Sequence, residues 1–131
     1  MIGGADGGYT AHRMPATDQD LLDLLMPLQG WAHVWIEQVH SMPKEGVSSA
    51  FKFGQNYGAL RMAVVACKLP LHTVTPQKWC SGLGLRKKKG EANTTWKNRH
   101  KALAQELYPG IKITHATADA LLIAHWAKLH G

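Results

Sequence analysis

Three side chains in this sequence have the types and settings to do chemistry: Glu37, His115 and Asp119. Glu37 lies within WAHVWIEQVH (31–40), where Val34, Trp35, Ile36 and Val39 are the β-branched and aromatic residues that suit a buried strand. A carboxylate planted there must raise its pKa, find a cationic partner, hold a metal ion, or reach water at the strand end. Only His40 and Lys44 follow closely enough in sequence to be that partner. His115 and Asp119 stand four apart in HATADALLIA (115–124), so they share one face at the start of a helix. Alone, such a pair is most simply a cap or a surface contact. If the helix crosses the end of the Glu37 strand, two carboxylates and an imidazole converge. Carboxylates about 4 Å apart repel by roughly 4 kcal/mol at an effective dielectric of about 20, so the cluster would need a cation. Oxygen ligands of this kind suit Mg²⁺ or Mn²⁺, which on a basic protein points to phosphodiester chemistry.

The protein is basic. Fifteen Lys and Arg against nine Asp and Glu give a net charge of +6 in 131 residues, with an isoelectric point near 9.5. Asp18, Asp20 and Asp23 sit together early, whereas Arg86, Lys87, Lys88, Lys89, Lys97, Arg99 and Lys101 crowd one stretch. Such a block implies a polyanionic partner, nucleic acid foremost, or a merely solvated face. The length suits one domain with a real core. No run approaches the roughly 18 apolar residues of a membrane span, and MIGGADGGYT lacks the basic and apolar regions of a signal peptide. Cys67 and Cys80 are not in CxxC spacing, which argues against a zinc ribbon; reduced thiols of a cytoplasmic protein are expected, with a disulfide as the alternative.

The elements that must position these groups follow from the chain order. Asp6-Gly7-Gly8 is a hairpin signal, although almost nothing precedes it to form a first strand, and Tyr9 to Met14 can be a short strand. Thr17 or Asp18 caps a helix whose core face is Leu21, Leu22, Leu24, Leu25 and Leu28. After the Glu37 strand, His40 to Gly46 is a loop, and Ser48 or Ser49 caps a long helix from about Ala50 to Cys67. Gly54 and Gly58 share a face of it, which suggests close approach of another backbone. LHTVT (71–75) is a strand, Pro76 to Trp79 a short helix, and 81–90 a basic loop. A helix from Thr94 or Thr95 to Tyr108 precedes Pro109-Gly110, and Thr114 or Thr117 caps the last helix, to about Leu129. The expected class is a layered α/β domain.

Four blocks, IEQVHSMPKEGVSSAFKFGQNYGAL, VTPQKW, LYP and HATADALLIA, in this order and spacing resemble the phage-type branch of the RuvC-like Holliday junction resolvases. The likeness runs from Tyr9 onward. It implies an RNase H-like fold, a mixed sheet flanked by helices, and a Mg²⁺-dependent homodimeric endonuclease that cuts four-way DNA junctions. It places Glu37, Asp119 and His115 in the catalytic and metal site. It also places Phe51 and Phe53 among junction-facing residues, of which at most one should touch DNA because they point to different helical faces. Arg86, Lys87, Lys88, Lys89, Lys97 and Arg99 resemble the family's basic DNA-binding region, with Lys97 near enough to neutralise charge on the scissile phosphate.

Two departures matter. Family members begin with a strand carrying an Asp-x-Gly motif, whose Asp is a principal metal ligand, followed by a second strand in hairpin connection. Only eight residues precede Tyr9, fewer than the roughly fifteen that two strands and their turn need, so the expected fold is RNase H-like with its N-terminal strands missing or truncated. Asp6 in ADGG reads as turn rather than ligand. Cys80 stands where the family often has Lys after Trp. Glu37, His115 and Asp119 alone would then support one metal site, and a non-catalytic branched-DNA-binding module or a nuclease acting on flaps are the rival expectations.

Overall fold

The protein is described by a computed structural model that covers the backbone of residues 2–3 and residues 9–39 and 46–131 in full. It is a mixed α/β chain that divides into two compact units, Met14–Thr73 and Met1–Arg13 with Val74–Gly131. The expected Asp6-Gly7-Gly8 turn and the loop of residues 40–45, with His40 and Lys44, lie outside the described residues.

In the unit Met14–Thr73, helix α1 (Asp18–Leu25) starts where Thr17 accepts a hydrogen bond from the Asp20 backbone N–H at 3.1 Å. Asp18 and Asp20 in its first turn complement the positive end of the helix dipole. Leu21 and Leu25 are its buried residues. The next turn, Met26–Leu28, is a 3₁₀ helix, and Trp31 leaves it with its indole N–H donated to the Pro27 carbonyl. The chain remains in turn through Trp31 and is irregular at Ala32 and His33, so β3 is only Val34–Glu37, with Ile36 buried and Glu37, at its end, half-buried. (Strands β1 and β2 belong to the other unit.)

Helix α2 (Val47–Ala66) is longer than expected and starts at Gly46 without a side-chain cap, so neither Ser48 nor Ser49 caps it. Its C-terminus closes in a Schellman motif. Lys68 N–H bonds to the Val65 carbonyl and Leu69 N–H to the Val64 carbonyl, with Lys68 at φ +56°. Leu69 and Val64, the positions whose apolar contact commonly accompanies such an end, are both buried. The chain then enters β4 (Leu71–Val74), which pairs in parallel with β3; Val34 N–H bonds to the Pro70 carbonyl at 2.9 Å. Parallel strands require a crossover, and α2 is that crossover.

The other unit holds β1 (Ile2–Gly3) and β2 (Thr10–Ala11), antiparallel with Ile2 opposite Ala11 and Gly3 opposite Thr10. The expectation that too little precedes Asp6-Gly7-Gly8 to form a first strand is thereby corrected: two residues suffice for a minimal ladder. Its helices are α3 (Pro76–Gly82), α4 (Asn93–Leu107) and α5 (His115–His130). Thr75 caps α3, and Thr114 and Thr117 form a reciprocal capping box on α5. Helix α4 packs along α5, and α3 also meets α5. Trp79, Leu85, Ala104, Ile113, Leu121, Leu122 and Trp126 are buried there. A Cβ on Gly82 would stand 2.6 Å from the Trp126 indole nitrogen, so only glycine lets α3 lie this close to α5. Cys67 and Cys80 are buried, and neither is in a disulfide. Among the described residues no helix is long and apolar enough to cross a membrane.

Candidate functional site

The most elaborate polar constellation forms where α4 faces the first turns of α5. Because α4 is read with a period of 3.6, Trp96, Lys97 and His100 fall near one another on its surface, and all three are engaged. His100 is buried, with its ring set edge-on to Trp79 at 5.4 Å and to Trp96 at 4.7 Å between centroids. Its Nδ1 donates to Asp119 Oδ1 at 2.9 Å. Its Nε2 is buried without a hydrogen-bond partner, so the ring is held as the Nδ1–H tautomer, aimed at the carboxylate. Lys97 Nζ meets the other oxygen, Asp119 Oδ2, at 2.8 Å.

Burial pushes the Asp119 carboxyl up, but the hydrogen bonds from His100 and Lys97 outweigh it and leave the group below the ordinary carboxylate range. Asp119 is therefore an ionised, partly enclosed carboxylate already balanced by a cation. One turn earlier, exposed His115 donates from Nε2 to the side-chain amide oxygen Oδ1 of Asn98 at 3.0 Å, leaving Nδ1 as the acceptor nitrogen. The expected shared face of His115 and Asp119 is thus realised, and both side chains turn toward α4.

The basic loop is built rather than loose. Arg99 donates from Nε and Nη2 to the two carboxylate oxygens of Glu91, each at 2.8 Å, and from Nη2 to the Arg86 carbonyl at 2.8 Å. The Lys88 backbone N–H adds a bond to Glu91 Oε1. These partners lower the Glu91 pKa to about 2, the Arg99 hydrogen bonds first among the causes. Arg99, expected among the DNA contacts, is committed to this fork. Lys87 bonds to the Asn93 side chain, and Lys87 and Lys97 lie 5.7 and 5.6 Å from the Trp96 ring centroid. Arg86, Lys87, Lys88 and Lys89 are exposed.

Of the other expected site residues, Phe51 and Phe53 are both exposed on α2, at 69% and 45%. They point to different sides of the helix, and Phe53 stacks on Tyr57. Glu37 belongs to the unit Met14–Thr73, whereas His115 and Asp119 belong to the other unit. Asp119 has the donor type that a hard divalent cation takes, but it is one carboxylate with both oxygens engaged. Among the described residues no three His, Cys, Asp or Glu side chains form a metal-binding group.

His100, Asn98, Trp79 and Trp96 were absent from the sequence-derived site. The i,i+4 spacing of Trp96 and His100 in NTTWKNRH was the available signal, though a histidine at such a spacing is most simply a core residue. The chain matches no model of a known protein family. No curated protein matches it either.

Proposed function

We propose that the chain is a RuvC-like resolvase domain, a metal-dependent endonuclease that cuts four-way DNA junctions and acts as a homodimer. The observation that carries this reading is the Asp119 carboxylate, kept ionised by His100 and Lys97 in the same unit as the exposed Arg86 to Lys89 loop. Lys87 of that loop and Lys97, the ion-pair partner of Asp119, lie against the same Trp96 ring, so a phosphodiester drawn to the loop would meet the cation that holds the carboxylate. Asp119 would hold Mg²⁺, or Mn²⁺, with His115 as a further ligand or as a proton carrier, and Glu37 keeps the metal-binding role that the resemblance gives it. The bound ion would supply an activated water and charge neutralisation at the phosphate.

The chain's own groups have distinct parts in this proposal. His100 orients the Asp119 carboxylate through Nδ1. Lys97 holds positive charge beside it, placed to stabilise negative charge developing on a phosphate oxygen. His115, with Nδ1 as acceptor, can receive a proton and return it to the leaving oxygen. Phe53, stacked on Tyr57, offers an exposed ring to unpaired bases at the branch point.

The test is incubation of the protein with a labelled four-way junction and Mg²⁺. Paired incisions that disappear in Glu37→Gln and Asp119→Asn support the assignment; no cleavage, or cleavage undiminished in Glu37→Gln, removes it. One observation favours a second reading, in which the chain binds branched DNA without cutting it: both Asp119 oxygens are already taken by Lys97 and His100. Tight junction binding with no incision at any Mg²⁺ or Mn²⁺ concentration would select that reading.

A further inference from the structure

The two-stranded sheet of β3 and β4 has unlike faces. Side chains alternate along a strand, so buried Ile36 points to one face and half-buried Trp35 to the other. His33, one residue before β3, and His72 of β4 join Trp35 on that second face. Trp35 and His72 lie face to face, with ring centres 4.6 Å apart and planes within 18°. His33 Nδ1 and His72 Nε2 stand 2.9 Å apart. Their ring centres are 5.1 Å apart and their planes 7° from parallel, so the two imidazoles meet edge to edge, nitrogen to nitrogen.

Two facing ring nitrogens share one proton, one donating and the other accepting. In this exposed setting such a bond competes with water and adds little to stability. The same nitrogens, both unprotonated, are a ready-made pair of ligands, because neutral imidazole is the commonest protein ligand for metals and suits Zn²⁺, Cu²⁺ and Ni²⁺. At metal–nitrogen distances of about 2.0–2.1 Å, an ion joining two imidazoles at roughly 90–110° needs their nitrogens about 2.9–3.4 Å apart. These two already stand at 2.9 Å. On binding, the shared proton passes to the outer nitrogen of its own ring, and each imidazole stays neutral. Exposed His33 can turn to aim at an ion beside the line of the two nitrogens, while Trp35 holds the His72 ring in its plane.

We propose that His33 and His72 form a two-imidazole site for a borderline divalent transition metal such as Zn²⁺, Ni²⁺ or Cu²⁺, which clasps the start of β3 to β4. Water completes the coordination. The site is distinct from the carboxylate chemistry of Mg²⁺: Glu37 lies about 13 Å along the extended strand from His33, with Trp35 between. It stands on this sheet face alone and owes nothing to the nuclease reading.

The experiment is a calorimetric titration of the untagged chain with Ni²⁺ in excess Mg²⁺, paired with thermal unfolding in the same buffers. The expected result is one Ni²⁺ per chain and a higher melting temperature when it is bound. Loss of an outer-sphere partner alone costs about tenfold in metal affinity, so His33→Ala, which removes an exposed ring and should fold normally, should weaken binding at least that much and abolish the thermal shift. His72→Gln, which keeps a polar side chain beside Trp35, should do the same. His12→Ala, at an exposed histidine of the other unit, should leave the titration unchanged. No saturable binding of Ni²⁺, binding suppressed by Mg²⁺, or a titration unaltered by His33→Ala would overturn the proposal. Because neither junction nor cleavage is read, its failure is separate from a failed cleavage assay.

Discussion

His100 shows how one buried ring can do two jobs. Its faces and edges fill the space between Trp79 and Trp96, while Nδ1 fixes a carboxylate that would otherwise be half enclosed with one oxygen unpaired. Replacing it by Ala removes a buried ring and strands an acceptor, so His100→Ala should destabilise the protein by about 2–4 kcal/mol in urea unfolding. Asp119→Asn is different. The amide oxygen can still accept from His100, and the Lys97 contact it loses is exposed, so the loss of stability should be about 1 kcal/mol or less. That contrast makes Asp119→Asn the cleaner probe of cleavage. None of this second layer was visible in the sequence, because a His at helical spacing from a Trp is chemically silent until the facing helix is known. His115 and Asp119 were legible because a polar pair at i,i+4 opening an apolar helix is itself a surface pattern.

At the scale of the element, the basic loop depends on Glu91. Its carboxyl, lowered to about 2, contributes stability that is present above the unfolded-state value of about 4.5 and is lost as pH falls toward 2. Glu91→Gln should therefore be less stable than the native protein at neutral pH, and the difference should close between about pH 4.5 and 2 in acid-unfolding curves. The end of α2 makes an opposite prediction. Lys68 holds a left-handed conformation in a Schellman motif whose usual occupant is Gly, so Lys68→Gly should stabilise the protein by up to about 1 kcal/mol in thermal unfolding. Sequence patterning placed most helices within a few residues. It failed at the start of α2, where Ser48 and Ser49 lie inside the first turn and the backbone of Gly46 takes the N-cap position, and at β3, where the chain is still in turn at Trp31 and the strand begins only at Val34.

For the whole molecule, a net charge of +6 and an exposed basic loop make nucleic-acid affinity the property most open to measurement. If about five phosphates are neutralised, junction binding should fall with salt at a log–log slope near −4.5; binding indifferent to salt would leave the nucleic-acid reading without support. Arg99 should contribute to that slope less than Arg86 or Lys89, because its guanidinium is already paired with Glu91. Charge sign and its clustering were legible in the sequence. Which cations are spent internally was not, since a lysine or arginine run looks the same whether it faces solvent or a carboxylate eight residues away.

The parallel pairing of β3 with β4 also bears on how the chain reaches its native state. All of α2 lies between those strands, so their ladder closes a long loop and can be rewarded only after that loop has shrunk. A helix shortens it most cheaply, at 1.5 Å per residue against more than 3 Å for extended chain. Gly54 and Gly58 within α2 then act as a brake on collapse. Alanine at either should hasten refolding in stopped-flow measurements and leave unfolding nearly unchanged if α2 is already wound when the strands meet.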